Sequence, residues 1–143
     1  MRLHHLGYVG RDLATLQRRF TSESSEVMTP ATADPVQRVV VQFFRDAVTG
    51  DVLEIIAPLD TVEASPLAGR IARGGGLDHA CYELEAGDGT LEEVLDAERA
   101  RGARVTCPPV PATAFGRRIA FVLRRSGRLV EYVEARPGPD SVV

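Results

Sequence analysis

Two histidines and two glutamates occupy matching places in the two halves of the chain. Glu54 follows His5 by 49 residues, and Glu131 follows His79 by 52. Each glutamate stands between apolar residues of a strand-like run, where a buried charge is costly unless it is paired or binds a metal. Two neutral imidazoles and two carboxylates suit a divalent cation of intermediate hardness. The pattern therefore predicts one metal site, with two of six octahedral positions left for water or substrate.

A structural role remains the alternative for any one of these four residues. A single histidine in a strand is most often a packing residue, and an inward glutamate can pair with one of the many arginines of this chain. The matched set of four favours metal binding over these separate explanations.

The elements that position the four residues repeat as well. Each half reads as a strand, a helix and three further strands. The first half contains predicted strands over 3–9, 39–44 and 51–56, a helix of about ten residues after Asp12, and a loop over 21–34 with one weak strand near Val27. The second half contains predicted strands over 77–84, 118–123 and 129–133, a helix over 91–101 after a Thr90/Glu93 capping box, and a short strand at Val105 followed by a stiff proline loop.

The repeat predicts an α+β protein made of two small modules that share one site. Module one covers about 1–64 and module two about 76–136, which together form a single domain over 1–136. Residues 137–143 are rich in proline and glycine and are predicted to be a flexible tail.

Composition excludes several classes of function. The 143 residues carry a formal net charge of −3, whereas a nucleic-acid-binding protein usually has a basic excess. No apolar run approaches the ~20 residues of a membrane helix, and the N-terminus lacks the apolar core of a signal peptide. Two cysteines are too few for a disulfide scaffold and fit a reducing compartment, so a cytoplasmic location is expected.

Four stretches of the chain resemble the vicinal oxygen chelate superfamily, the group of glyoxalase I and methylmalonyl-CoA epimerase. They are His5-Leu6-Gly7, Ser65–Ala68 followed by Gly76–His79, Phe115–Ile119 and Gly127–Glu131. The resemblance spans His5 to Glu134 and is greatest to methylmalonyl-CoA epimerase. It implies paired βαβββ modules that form a cupped mixed sheet around a divalent metal (Zn, Ni, Co, Mn or Fe). The ligands of that family lie on the first and last strand of each module, which gives the same four positions here.

The resemblance implies a metal-dependent epimerase or isomerase that removes a proton next to a metal-chelated carbonyl. Glu131 and Glu54 are the candidate acid and base, and Gln42, Arg117 and Arg118 are the candidate substrate contacts. Gln42 takes the place where some bacterial epimerases have a carboxylate. The substrate is expected to be a small carbonyl compound, either a methylmalonyl-CoA-like thioester or a keto-sugar or cyclitol of secondary metabolism, and the protein is expected to be a homodimer.

Two alternatives stay open within the same resemblance. One is a lyase or thiol transferase of the glyoxalase type, for which the same ligands serve equally well. The other is a drug-binding resistance protein that sequesters its ligand without a metal. Such proteins tend to lose the ligand set, so its retention here argues against that alternative. An extradiol dioxygenase is less favoured, because that group runs longer and uses two histidines and one carboxylate.

Overall fold

The structure, a computed structural model, describes residues 1–138 and 143, so most of the predicted tail lies outside the described residues. The described chain forms nine strands and three helices, which confirms the predicted α+β class. It divides into two compact units. The first unit contains His5–Asp78 and Val143, and the second contains Met1–His4 together with residues 79–138.

The first unit builds a small sheet with a helix on one face. Its elements are most of β1 (Arg2–Val9), α1 (Leu13–Phe20), β2 (Ser25–Val27), β3 (Thr32–Asp34), β4 (Val39–Asp46), β5 (Val52–Pro58) and α2 (Ala68–Ala72). β1 runs parallel to β5, and β5 runs antiparallel to β4. Both β2 and β3 pair antiparallel with β4, so together they act as one interrupted strand.

The chain forms α1 where the sequence predicts it. The Asp12 side chain caps the helix by accepting a hydrogen bond of 2.7 Å from the Thr15 backbone N–H, as an N-cap acid should. The helix buries Leu16 against Phe44 and Ile55 of the sheet. Because side chains alternate along a strand, Phe43 and Glu54 belong to the opposite face of β4 and β5.

The second unit has the same plan. It contains most of β6 (Gly76–Glu83), followed by α3 (Leu91–Ala100), β7 (Arg104–Ala112), β8 (Arg117–Leu123) and β9 (Leu129–Val133). β6 runs parallel to β9, β9 antiparallel to β8, and β8 antiparallel to β7. The predicted capping box of α3 is present, with Thr90 and Glu93 bonded reciprocally. The helix packs its apolar side on Val122, Val130 and Tyr132.

Two predictions about the strands are wrong. The proline loop predicted after Val105 is part of β7, whose register with β8 shifts twice, between Val105 and Cys107 and between Cys107 and Val110. Among the described strands β7 pairs with β8 alone, and an edge strand with bulges tolerates prolines that cannot donate to a neighbour. The loop predicted over 21–34 contains β3 as well as the expected strand near Val27, so four strands follow α1 rather than three.

None of the helices in the described part of the chain is long and apolar enough to cross a membrane.

Candidate functional site

His5 and Glu54 form a buried pair on the face of the first unit's sheet that α1 leaves uncovered. The parallel register of β1 and β5 places Gly7 opposite Glu54, so His5 lies two residues earlier on the same face. Its Nε2 lies 3.2 Å from Glu54 Oε2, and the two residues are 1% and 6% exposed. Phe43, directly opposite Glu54 on β4, meets the imidazole edge-on with ring centroids 5.2 Å apart.

His79 and Glu131 form the same arrangement in the second unit. Cys81 is opposite Glu131 in the parallel pairing of β6 and β9, which again places the histidine two residues earlier. His79 Nε2 lies 3.2 Å from Glu131 Oε2, and both residues are buried. Phe121, opposite Glu131 on β8, meets the imidazole edge-on at 5.1 Å.

The two pairs match in register, in distance and in the aromatic residue behind the imidazole. Each offers a ring nitrogen and a carboxylate oxygen from side chains that water barely reaches, which is chemistry suited to a divalent cation. The donor types fit the cofactor that the sequence predicts. A phenylalanine ring packs edge-on against each imidazole.

The phenylalanines are site residues that the sequence reasoning missed. Phe43 precedes Glu54 by 11 residues and Phe121 precedes Glu131 by 10, so they too occupy matching repeat positions. Alignment of the two halves beyond the ligand residues would have found them.

Gln42 and Arg118 lie away from the pairs. Gln42 is next to Phe43 on β4 and therefore belongs to the opposite face, where its Nε2 donates to the Thr29 carbonyl oxygen at 3.2 Å. Arg118 is 42% exposed in its side chain and binds Glu92 of α3 and Glu134. Neither position favours direct contact with a substrate held at a His–Glu pair.

Arg117 is placed differently from its neighbour. It shares a face of β8 with Phe121, which packs on His79, and its side chain is only 5% exposed. Its Nη1 donates to Glu83 Oε1 at 2.8 Å and to the Glu134 carbonyl oxygen. Of the three predicted substrate contacts, Arg117 alone faces the same side of the sheet as a His–Glu pair.

Glu83 is the centre of a cluster of charged side chains that no sequence pattern predicts. It is 2% exposed and accepts hydrogen bonds from Arg2, Arg136 and Arg117 at 2.6–2.8 Å. Burial opposes ionisation of this carboxyl group, but the three arginines outweigh it and lower its pKa to about 2. The Glu83 side chain is therefore a carboxylate at neutral pH.

His4 borders this cluster. Its Nε2 lies 3.2 Å from Arg136 Nη2, and its ring packs against Phe115 with centroids 5.6 Å apart. A guanidinium group can only donate, so His4 Nε2 is the acceptor in this contact.

Comparison with known proteins agrees with this architecture. The sequence profile of the glyoxalase/bleomycin resistance protein/dioxygenase superfamily matches residues 4–121. A search of curated proteins found no significant match.

Solved structures of similar fold cover nearly the whole chain. A hypothetical protein from Bacillus halodurans superposes with a TM-score of 0.78 at 23% identity, covering 98% of each chain. Methylmalonyl-CoA epimerase from Mycobacterium tuberculosis gives 0.74 at 22%, covering 94% of this chain and 88% of that one. A variant of the Streptomyces coelicolor epimerase in complex with 2-nitronate-propionyl-CoA gives 0.75 at 24%, covering 97% and 99%. The chain thus belongs to the glyoxalase/bleomycin resistance protein/dioxygenase superfamily, as its sequence resemblance indicated.

Proposed function

We propose that this protein is a metal-dependent isomerase that epimerises a carbon next to a carbonyl group. The observation that carries the proposal is the pair of matching, buried His–Glu arrangements, His5 with Glu54 and His79 with Glu131. Membership of the superfamily supports it, and so does the likeness of the fold to methylmalonyl-CoA epimerases.

In this proposal the two units are the modules of one domain and all four residues hold a single divalent cation, one of Zn, Ni, Co, Mn or Fe. When bound, such a cation acts as a Lewis acid towards the carbonyl oxygen of the substrate and so makes the neighbouring C–H more acidic. The chain itself supplies buried ligands and two phenylalanine rings, Phe43 and Phe121, that hold the imidazoles in place.

Glu131 and Glu54 are the proposed acid and base. Epimerisation needs one group to take the α-proton from one face of the carbon and another to return a proton to the opposite face. A carboxylate that takes the proton becomes a carboxylic acid, and the partner must start as an acid and end as a carboxylate. The two glutamates come from equivalent strands of the repeat, β5 and β9, which makes them candidates for equivalent roles on the two faces.

The proposed substrate is a carbonyl compound with an acidic α-hydrogen. A methylmalonyl-CoA-like thioester is the first candidate, because the similar structures include an epimerase in complex with methylmalonyl-CoA. A keto-sugar or cyclitol is the second. The homodimer and the cytoplasmic location stay predictions.

Solvent deuterium exchange tests the reaction. The metal-loaded protein should incorporate deuterium from D₂O at the α-carbon of methylmalonyl-CoA or of another carbonyl compound offered in parallel. Glu131→Gln should fold normally and lose at least about 100-fold in exchange rate, because a general base contributes at least that much. Glu92→Gln, on the exposed side of α3, is the control and should exchange like the wild type.

Three outcomes contradict the proposal. An active Glu131→Gln protein would remove Glu131 from the reaction. Absence of exchange with every carbonyl compound, combined with turnover of a thiol adduct, would favour the glyoxalase-type lyase or thiol transferase. Purified protein that binds a drug-like ligand but no metal would favour the resistance-protein alternative.

A further inference from the structure

We propose that Arg117, Arg2 and Arg136 form a binding site for an anionic group, a carboxylate or a phosphate, around the buried Glu83. The second unit contains all four residues, and their contacts with one another lie inside that unit. The binding of an anion does not depend on the function proposed above. The further step, that this anion is part of the substrate, rests on that function.

The cluster is rich in positively charged donors. Three guanidinium groups contact the Glu83 carboxylate, and one of them, that of Arg136, also lies 3.2 Å from His4 Nε2. Charged guanidinium donors make the strongest hydrogen bonds with carboxylates and phosphates, so an anion is the ligand that this cluster favours.

Arg117 shows where an anion would bind. Its Nη1 is used by Glu83 and by the Glu134 carbonyl oxygen, but its Nε and Nη2 have no hydrogen-bond partner within residues 1–138 and 143. Nε and Nη2 form one edge of the planar guanidinium, the edge that matches two oxygens of a carboxylate or phosphate. A buried arginine with this edge unused is an incomplete binding site.

The neighbouring Arg118 provides an internal comparison. It is half-exposed and has carboxylate partners in Glu92 and Glu134, as a surface arginine without a binding role usually does. Arg117, although buried, makes two side-chain hydrogen bonds, both through Nη1, whereas its more exposed neighbour makes three. Burial alone would predict more hydrogen bonds for Arg117 than for Arg118, because buried polar groups are normally hydrogen-bonded.

The cluster remains open to solvent on one side. The side chain of Arg2 is 57% exposed and that of Arg136 is 27% exposed. The ring of Phe115 lies against Arg117, with the guanidinium carbon 5.7 Å from its centroid. An anion can therefore approach the cluster past the two outer arginines.

The cluster also lies on the face of the sheet that carries the second His–Glu pair. Glu83 follows His79 by four residues on β6, and Arg117 precedes Phe121 by four residues on β8, so each pair of positions shares a face. Four residues of a strand span about 13 Å, so the backbone of Arg117 lies about this far along the sheet from the His79–Glu131 pair. The long arginine side chain can shorten that distance. A substrate with its carbonyl at His79 and Glu131 can thus place a negatively charged group at Arg117.

Binding of small anions to chelator-treated protein tests this site. Chelator removes any metal, so malonate cannot bind through a cation, and calorimetric titrations with malonate and with inorganic phosphate distinguish a carboxylate from a phosphate site. The wild type and Arg118→Gln should bind one of the two anions with equal affinity. Arg117→Gln should bind it at least about 10-fold more weakly, because a charge-assisted hydrogen bond is lost.

Arg117→Lys is the second variant, used if Arg117→Gln does not fold. It keeps a positive charge near Glu83 but lacks the planar edge, so it should fold and still bind the anion more weakly. Unchanged affinity in Arg117→Lys or Arg117→Gln, or failure of the wild type to bind either anion, would overturn the proposal. Anion binding without any deuterium exchange would overturn the proposed isomerase and leave the anion site in place.

Discussion

At the residue scale, the carboxyl group of Glu83 has a strongly lowered pKa. Burial opposes its ionisation, yet hydrogen bonds from Arg2, Arg136 and Arg117 lower its pKa from 4.5 to about 2. Because the pKa in the folded protein is below that in the unfolded chain, the ionised group stabilises the fold at pH values above 4.5. This contribution is lost progressively as the pH falls from 4.5 to about 2.

We therefore expect Glu83→Gln to lower the free energy of unfolding by about 3 kcal/mol at neutral pH, where three arginines lose their shared carboxylate. The deficit relative to wild type should shrink as the pH falls below 4.5. Denaturant unfolding over a pH series measures both effects. The exposed Glu85→Gln is the control, with an expected change below about 0.5 kcal/mol. A deficit that does not change with pH would show that Glu83 acts through packing rather than charge.

Residue types and spacing were enough to predict the metal-ligand candidates but not this cluster. The histidines and glutamates recur at nearly equal intervals of 49 and 52 residues, which is visible in a single sequence. Glu83 meets Arg117, Arg136 and Arg2 across 34, 53 and 81 residues. These three separations follow no repeat, so the sequence alone does not predict which arginines contact Glu83. The strand register and the path of the chain are needed to identify them.

At the element scale, α3 is attached to the sheet by a polar contact as well as by its apolar face. The Tyr132 hydroxyl donates to Glu98 at 2.7 Å, and Arg124 donates to both Glu98 and the tyrosine oxygen. Burial opposes ionisation of Glu98, but the hydrogen bonds from Arg124 and Tyr132 outweigh it and lower its pKa. The group is thus a buried carboxylate with complementary donors from β9 and from the residue after β8.

Removing one donor should weaken this attachment. We expect Tyr132→Phe to lower the free energy of unfolding by about 1–2 kcal/mol, since the buried Glu98 loses a hydrogen bond while the ring still fills its place. Tyr82→Phe is the matched control, because the Tyr82 hydroxyl accepts from Arg128 at an exposed position. Thermal or denaturant unfolding compares the two variants. Equal losses would mean that the Glu98 contact contributes no more than a surface hydrogen bond.

Periodicity and caps predicted most elements correctly, and the failures have a common physical cause. Proline argues against a strand because its nitrogen cannot donate to a ladder, and a polar stretch such as 21–34 lacks the apolar alternation that predicts one. β7 and β3 each have a paired neighbour, β8 and β4, and need no ladder on the other side in the described part of the chain. Sequence alone does not reveal which strand will lie at an edge, so it predicts loops where β3 and β7 form.

At the scale of the whole molecule, the repeat is the feature that connects sequence to function. Each unit contains a parallel pair of strands bearing one His–Glu pair, with a helix on the other face. The repeat could be predicted because both modules keep the same residue types, histidine and glutamate, at the same strand positions. The edge strands differ between the modules, because β7 contains prolines whereas β2 and β3 are short and have none, and the sequence predicted these strands less well.

The number of ions bound per chain tests whether the two pairs act together. If one cation needs all four ligands, the wild type should bind one ion per chain, and His5→Ala and His79→Ala should each weaken binding at least about 100-fold, because loss of outer contacts alone costs about 10–100-fold. His4→Ala, adjacent to His5 on β1, is the control and should keep the ion. Elemental analysis with competition against a chromogenic chelator measures stoichiometry and affinity. Two ions in the wild type, with one retained by each variant, would show that each His–Glu pair binds a metal independently and would contradict the shared site.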